Sequence, residues 1–207
     1  MSGNGYILIG TVTNVDEAEI LASDNIDMLV AQGSEAGGHR GTFYGDPIEH
    51  GMIGIMSLIS QVVNHVNVPI VAAGGIMDAR GIKAALGLGA TAVQMGTAFL
   101  SCRESGANKV YKECLLDISS DTTVITKAFT GRFARCIFNE FIKYMKKYKP
   151  NILDFPIQHC FTKQLRKAAE QQGEWEYMAL YAGQSAHLCT NLSAAKLLEK
   201  IIKDLQY

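Results

Sequence analysis

Four short apolar runs, separated by segments with helical periodicity, occupy the first hundred residues. Each run is nearly continuous in apolar residues, and this is typical of strands that are covered on both faces in a parallel sheet. Strands that alternate with helices form βαβ units, so the pattern predicts an α/β fold with a parallel sheet or barrel. The runs are YILIGTVT (6–13), DMLVAQG (27–33), VPIVAAGG (68–75) and TAVQMGTAFL (91–100).

Capping signals support the helices between these runs. Asn14 with Glu17 three positions later resembles a capping box at the start of VDEAEILAS. Asp78 can cap the helix ARGIKAALGL, which Gly87 and Gly89 can close. The acidic residues of the first helix, which are Asp16, Glu17 and Glu19, are expected on a solvated face and not as a catalytic pair.

After residue 100 the alternation of strands and helices stops. The remaining segments have helical or irregular patterns, with Pro150 and Pro156 marking a loop between helices. The sequence therefore predicts an α/β part over 1–100 and a mainly helical region over 101–207.

Composition excludes several function classes. Of the 207 residues, 48% are hydrophobic and 19% charged, and the formal net charge of −1 disfavours a nucleic-acid partner. The five cysteines are an odd number without C-x-x-C spacing, which favours reduced thiols and a cytoplasmic protein. We expect no leader peptide, because MSGNGYILIG has no charged segment followed by an apolar stretch of signal-peptide length. We expect no membrane span, because no segment approaches the roughly 18 apolar residues that a span needs.

Glycines stand where two of the predicted strands end. Gly74 and Gly75 follow the third run and precede a capped helix, and Gly96 with Thr97 lies at the end of the fourth. Parallel sheets and barrels bind ligands at the carboxyl ends of their strands, and glycines let backbone amides approach a phosphate closely. The two turns together favour a phosphate-binding site over turns that only reverse the chain.

His39 lies a few residues past the second run, in the glycine-rich stretch AQGSEAGGHRG (31–41). A histidine there is a candidate general base, because its ordinary pKa lies near neutrality, but a loop histidine bonded to a backbone carbonyl explains the spacing equally well. Glu35 could orient His39 or bond nearby amides, and Arg40 could hold an anion or face solvent. We expect no functional role for the remaining histidines, which are His50, His65, His159 and His187.

Long motifs in this order resemble the nitronate monooxygenases, a family of FMN-dependent (β/α)8-barrel (TIM-barrel) enzymes. The stretches AQGSEAGGHRG, VPIVAAGGIMDARG and GATAVQMGTAFL match the family's barrel, and TKAFTGRFARCIFNEF and YMALYAGQSAHL resemble its carboxyl-terminal region. The resemblance covers nearly the whole chain.

The resemblance implies a function for particular residues. His39 would be the catalytic base that takes the α-proton of a neutral nitroalkane. Gln32 and Gly37 would contact FMN. The flavin phosphate and its surroundings would be held by Gly74, Gly75, Gln94, Met95, Gly96 and Thr97. The implied reaction oxidises an alkyl nitronate with O2 to a carbonyl compound and nitrite, and no metal is needed.

The chain departs from the family in having only about four βα units. These units match the carboxyl-terminal half of the family's eight-stranded barrel, which typically needs about 250 residues. Three explanations stay open: a fragment or incomplete gene model of a full enzyme, a natural truncation that is inactive, or one half of a split enzyme. In the last case the missing amino-terminal half, or self-association with a second copy, would complete the barrel.

A second enzyme family, the FMN-dependent enoyl-acyl-carrier-protein reductases, shares the barrel, a similar G-G-H motif and the Q-M-G-T run. Two features favour the monooxygenases over this alternative. They are HRG after the double glycine and YAGQSAHL near the end of the chain.

Overall fold

The structure is a computed structural model that describes residues 5–43, 45, 47–119 and 122–206. Backbone contacts divide the chain into two compact units. The first unit comprises the chain up to Ala36, Arg40–Gly96, and the residues from Ala195 onward. The second comprises Gly37–His39 and Thr97–Ala194.

The described residues form seven strands and eight α-helices. In chain order they are β1 (Ile9–Val12), α1 (Val15–Ser23), β2 (Met28–Gln32), β3 (Gly38–His39), α2 (Ile55–Val62), β4 (Ile70–Ala73), α3 (Ala79–Gly87), β5 (Ala92–Gln94), α4 (Thr97–Leu100), α5 (Lys109–Asp117), β6 (Thr123–Thr126), β7 (Ala134–Ile137), α6 (Glu140–Lys146), α7 (Ile157–Gln172) and α8 (Ala194–Leu205).

The first unit contains the four predicted strands in one parallel sheet of order β1-β2-β4-β5. The inner strands β2 and β4 are largely buried, as their continuous apolar runs predict. The prediction of two covered faces is wrong for the outer strands, where Ile9 of β1 is 57% exposed. These strands pair on one side only within the described residues, because β1 and β5 form the two edges of the sheet.

The core of the first unit lies between the sheet and helices α1 and α2. Leu29 of β2 and Leu58 of α2 are fully buried there. Burying each such side chain stabilises the fold by about 1.5–3 kcal/mol. The parallel pairing of β2 with β4, in which Gln32 lies opposite Ala73, places their carboxyl ends side by side.

Both predicted helix caps are present. The Asn14 side chain accepts from the backbone N–H of Glu17, and the Asp78 side chain accepts from the amides of Arg80 and Gly81. The expectation of a solvated Glu17 is wrong, since this residue is 1% exposed. Its carboxylate accepts from the Thr13 amide and hydroxyl and from the Phe43 amide, which explains how a charged group is buried here.

The second unit contains a three-stranded antiparallel sheet of order β3-β7-β6. Sequence patterns assigned this region to helices and irregular structure, so the β6–β7 pair was not foreseen. All four residues of β7 are buried, and Cys136 of this strand also forms an isolated bridge with Tyr181. The strand is therefore stabilised by partners distant in sequence, which local periodicity does not reveal.

The predicted boundary after residue 100 stays a prediction. In the structure the residues of α8 from Ala195 onward belong to the first unit. Within that unit the Lys83 ammonium donates to the carbonyl oxygen of Asp204 at 3.0 Å.

Candidate functional site

The backbone that follows β4 lies close to the backbone of the loop that follows β2. Gly74 follows β4 with φ +125°, and Gly75 with φ +67°. A Cβ on Gly74 would lie 3.1 Å from the Ala36 amide nitrogen and 3.2 Å from the Gly33 carbonyl oxygen. Only glycine combines this left-handed conformation with so close an approach, so the turn depends on Gly74.

The end of β5 adjoins this turn through the β4–β5 ladder, in which Ala73 is paired with Gln94. Gln94 and Gly96 are exposed and Met95 is half-buried. A Cβ on Gly96 would meet no atom within 4 Å. The structure thus brings together five of the predicted cofactor residues at neighbouring strand ends of the first unit: Gly74, Gly75, Gln94, Met95 and Gly96.

The first amides of α3 are already used by the protein. The Asp78 carboxylate accepts from the amides of Arg80 and Gly81, and it also forms an ion pair with the exposed Arg80 guanidinium at 2.6 Å. A phosphate at this turn would therefore be held by the glycine backbone ahead of Asp78 and not by the start of the helix.

Gln32 ends β2, and Arg40 orders the loop around it. The Arg40 guanidinium, 1% exposed, donates to the carbonyl oxygens of Gly33 at 2.6 Å, Gln32 at 2.9 Å and Gly51 at 2.6 Å. The Gln32 side-chain oxygen accepts from the Gly41 amide at 2.8 Å. Arg40 thus neither faces solvent nor serves as an exposed anion site, because its charge is used to organise backbone carbonyls.

Glu35, in the same loop, bonds an amide. Both of its carboxylate oxygens lie 3.0 Å from the Ile55 nitrogen at the start of α2. The sequence left two roles open for Glu35, and the structure shows the one in which it bonds a nearby amide.

His39, Gly37 and Thr97 belong to the second unit, where all three adjoin residues 181–183. His39 pairs with Ala134 of β7, and Gly38 pairs with Arg135. A Cβ on Gly37 would lie 2.6 Å from the Ala182 carbonyl carbon and from the Gly183 nitrogen. The Gly183 amide also donates to the buried Thr97 hydroxyl at 2.9 Å.

The His39 ring is held by one hydrogen bond and two aromatic neighbours. Its Nε2 atom lies 2.8 Å from the hydroxyl oxygen of Thr130. The Tyr181 ring lies 5.6 Å away between centroids, and the Phe155 ring lies 6.3 Å away in an edge-on arrangement. These contacts orient a side chain that is exposed overall.

The surroundings of His39 favour its neutral form. Partial burial of the ring lowers the pKa of His39 below its usual value of 6.5, and the charges of Arg132, His159 and Arg166 lower it further. Burial also raises the pKa of Tyr181 to about 12, so its phenol stays protonated at neutral pH. The arrangement can accept a proton on a neutral imidazole beside a neutral hydroxyl donor.

Sequence reasoning missed most of the side chains around His39. Thr130 and Tyr181 lie within the two carboxyl-terminal motifs, but nothing in the spacing shows that they reach His39. His159, for which no role was expected, lies 6.3 Å from Phe155 between ring centroids and contributes to the lowered pKa of His39. Only the position of β3 beside β7 shows which distant residues adjoin the histidine.

Among the described residues, no group of three His, Cys, Asp or Glu side chains is arranged to hold a metal ion. In the same part of the chain, no helix combines the length and apolar character that a bilayer crossing requires.

Comparisons with known proteins identify the family of this chain. The family model of nitronate monooxygenase matches residues 2–204. A probable nitronate monooxygenase of Staphylococcus haemolyticus is 45% identical over 207 residues, which are 100% of this chain and 58% of the relative. This chain therefore spans somewhat more than half the length of that relative.

Two solved structures extend the comparison. Nitroalkane oxidase from Streptomyces ansochromogenes has a TM-score of 0.91 and 42% identity, with 98% of this chain and 58% of that one covered. FabK from Thermotoga maritima has a TM-score of 0.80 and 32% identity, with 98% and 62% covered. The likeness confirms the predicted fold class, the carboxyl-terminal half of a (β/α)8 barrel with a mainly helical region after it. On the match over residues 2–204 and the likeness of its fold, the chain belongs to the nitronate monooxygenase family.

Proposed function

We propose that this chain forms part of a flavoenzyme that oxidises alkyl nitronates and nitroalkanes with O2 to a carbonyl compound and nitrite. The observation that supports this most directly is the His39 ring, which is oriented by Thr130 and whose pKa is lowered by its surroundings. A neutral imidazole can remove the α-proton of a nitroalkane, because the resulting charge spreads over the two nitro oxygens. A preformed nitronate does not need this step.

The first unit supplies the proposed cofactor site, for which we propose FMN. The consecutive positive φ angles of Gly74 and Gly75 turn the backbone at the strand end, and the space beside Gly96 is open. The Asp78 carboxylate that follows the first turn is paired with the Arg80 guanidinium and accepts from α3 amides. These features fit a dianionic phosphate bound by backbone N–H groups.

Around the phosphate, Gln32, Gln94 and Met95 would contact the remainder of the cofactor. Gly37 and Thr97 stay proposed cofactor contacts on the family resemblance alone. When bound, FMN would supply the redox chemistry and the reaction with O2. The contribution of this chain would be to bind, to orient and to move one proton at His39.

We further propose that strands outside the described sheet complete it. Both β1 and β5 are edge strands, and an apolar segment at the β1 edge is exposed, with Tyr6 at 76% and Ile7 at 73%. Exposed apolar edges of this kind favour pairing with another strand. The partner would be the part of the relatives' length that this chain does not cover, or a second copy of the chain.

The proposed compartment is the cytoplasm. All five cysteines are free thiols. Burial raises the pKa of four of them, which are Cys102, Cys114, Cys136 and Cys189. Reduced, poorly reactive thiols are typical of cytoplasmic proteins.

The proposed base role is tested by His39→Asn, with nitroethane and preformed ethylnitronate as parallel substrates. We expect kcat/KM on nitroethane to fall by about a hundredfold or more, the usual contribution of a general base. We expect kcat/KM on ethylnitronate to change much less. Equal losses on the two substrates would contradict the base role. The matched control is His65→Gln, in the turn after α2, which should leave both values unchanged.

The competing enoyl reductase activity is separated by anaerobic flavin reduction. Rapid reduction by ethylnitronate with no rapid reduction by NADPH is expected. The reverse result would favour the reductase. A chain that neither binds FMN nor turns over a nitronate would favour an inactive remnant.

A further inference from the structure

A cavity of about 250 Å³ lies in the second unit, between strand β6 and helix α6. Its floor includes Ile142, which is 1% exposed and belongs to a buried apolar cluster of this unit. The other apolar side chains that line it are only half-buried, so the fold leaves apolar surface uncovered here. These are Val124, Ile125, Phe133, Met145 and Ile152.

Two lysines complete the lining of this cavity, and no Asp or Glu is among its lining residues. The Lys127 ammonium lies 5.5 Å from the centroid of the Phe133 ring and 2.9 Å from the carboxylate of Asp154, whose side chain is 84% exposed. The Lys146 ammonium lies 4.7 Å from the centroid of the Phe138 ring. Among the residues that the structure describes, no carboxylate forms an ion pair with Lys146.

The positions of these lysines make the cavity amphipathic. A lysine stem packs along apolar surface while its ammonium stays near water, so each lysine adds methylenes to the wall and a positive charge to the rim. Since Asp154 already offsets the charge of Lys127, about one positive charge remains for a ligand. The chemistry of the cavity therefore matches an apolar tail with a single negative charge at one end.

The volume of the cavity limits the length of that tail. It is below the roughly 300–1,000 Å³ of pockets for drug-sized molecules, so the ligand is small. If each carbon takes about the 30 Å³ that a water molecule takes in the liquid, about eight carbons fill the space. A long lipid chain exceeds this volume.

The cavity is a different place from the proposed base and cofactor residues. In the sheet order β3-β7-β6, strand β6 is the edge opposite β3, which contains His39. None of the residues lining the cavity is among the proposed catalytic or cofactor residues.

We propose that this cavity binds a medium-chain alkyl carboxylate of about the size of octanoate. Its tail would lie among the apolar side chains between β6 and α6, and its carboxylate would accept from the Lys146 ammonium at the rim. This inference does not depend on the proposed function, because it requires neither flavin nor a nitro compound.

Calorimetric titration of the full chain with short carboxylates tests the chemistry of the ligand. We expect octanoate to bind with a Kd of about 0.1–1 mM, which is ordinary for a ligand of this size. Hexanoate should bind about tenfold more weakly, since it buries two methylenes fewer. Decanoate should gain less than about twofold, because the cavity is already filled. Octanamide should bind about tenfold more weakly than octanoate, because it lacks the charge.

Variants of two lysines on α6 test the position of the carboxylate. Lys146→Gln should raise the Kd for octanoate about tenfold, since the ligand loses a charged donor. Lys143→Gln is the matched control, because Lys143 belongs to the same helix, pairs with the Glu140 carboxylate at 2.8 Å and does not line the cavity. Equal effects of the two variants would indicate attraction to general positive charge and would overturn the proposal.

The methyl group of Met145 reports where the tail lies. In protein with ¹³C-labelled methionine methyl groups, the signal that Met145→Leu removes should shift on titration with octanoate. Ile152→Trp, which fills the cavity, should abolish both the shift and the heat, with the thermal midpoint showing that the variant is folded. Octanoate binding that leaves the Met145 signal unmoved would place the ligand elsewhere and overturn the proposal.

Two further outcomes would identify other occupants of the cavity. Octanoate affinity that falls as the chain concentration rises would indicate that a second copy covers the cavity. Retention on vesicles of anionic phospholipid without binding of free octanoate would indicate a membrane surface. Either result would overturn the carboxylate site and leave the proposed function untouched, because His39→Asn tests that function with different substrates.

Discussion

The Nε2 atom of His39 lies 2.8 Å from the hydroxyl oxygen of Thr130, although the two residues are 91 positions apart in the chain. This contact forms because β3, which contains His39, pairs with β7, whose first residue follows Thr130 by four positions. The orientation of the candidate base is therefore set by residues of the second unit.

The lowered pKa of His39 predicts the pH dependence of nitroalkane turnover. A general base acts in its neutral form, so kcat/KM on nitroethane should be constant at high pH and decline as the pH falls through the His39 pKa. Since burial and the neighbouring cations place this pKa below 6.5, the decline should be centred below pH 6.5. The measurement is a pH profile of kcat/KM, and a midpoint above 6.5 would contradict it.

The lowered pKa of His39 also makes the free energy of unfolding depend on pH. The unfolded chain binds a proton at His39 more readily than the folded one, so the contribution of His39 to stability is present above pH 6.5 and is lost as the pH falls through the folded pKa. His39→Gln should therefore reduce the acid sensitivity of the urea midpoint. An unchanged dependence of that midpoint on pH would show that His39 does not contribute.

A substitution at Gly96 tests flavin binding without disturbing the fold. A Cβ at this position meets nothing within 4 Å, so Gly96→Ala should leave the thermal midpoint of the flavin-free protein unchanged. If FMN occupies the open space, its Kd should rise about tenfold, measured by flavin fluorescence. Gly106→Ala is the control, because its Cβ also meets no atom within 4 Å outside the proposed site. Equal flavin affinity in the two variants would place FMN elsewhere.

Arg40 should not tolerate replacement by lysine. Its guanidinium donates to three backbone carbonyls, and an ammonium group cannot reproduce that planar geometry. We expect Arg40→Lys to lower the free energy of unfolding by about 2–4 kcal/mol, since buried acceptors lose charged donors. Arg80→Lys, at a side chain 83% exposed, should leave the urea midpoint close to the wild-type value. Similar losses in both variants would contradict the proposed role of Arg40.

The backbone of Ala182 and Gly183 leaves no room for a side chain at Gly37. An alanine Cβ would lie 2.6 Å from backbone atoms of Ala182 and Gly183, so Gly37→Ala should destabilise the protein by about 1–3 kcal/mol. The same substitution at Gly87, the last residue of α3, meets nothing within 4 Å and should stabilise by up to about 1 kcal/mol. Thermal unfolding of both variants checks the contrast, which an equally stable Gly37→Ala would refute.

Patterns local in sequence predicted much of the first unit. The apolar runs predicted all four strands of the parallel sheet, and the caps Asn14 and Asp78 were correct to the residue, because both depend on interactions within a few positions. The glycines at the end of β4 were found for the same reason, since a left-handed turn requires a particular residue type. The motifs also identified the family, which the comparisons confirm.

Only the tertiary structure decided what surrounds the functional side chains. Glu17 was expected in solvent, but it is buried because Phe43, 26 positions away, donates its amide to the carboxylate. His39 was recognised as a candidate base from its motif, yet its partner Thr130, its aromatic neighbours and the cations that lower its pKa all come from residues beyond position 129. Such contacts depend on how separate segments pack, and no local period or spacing records that packing.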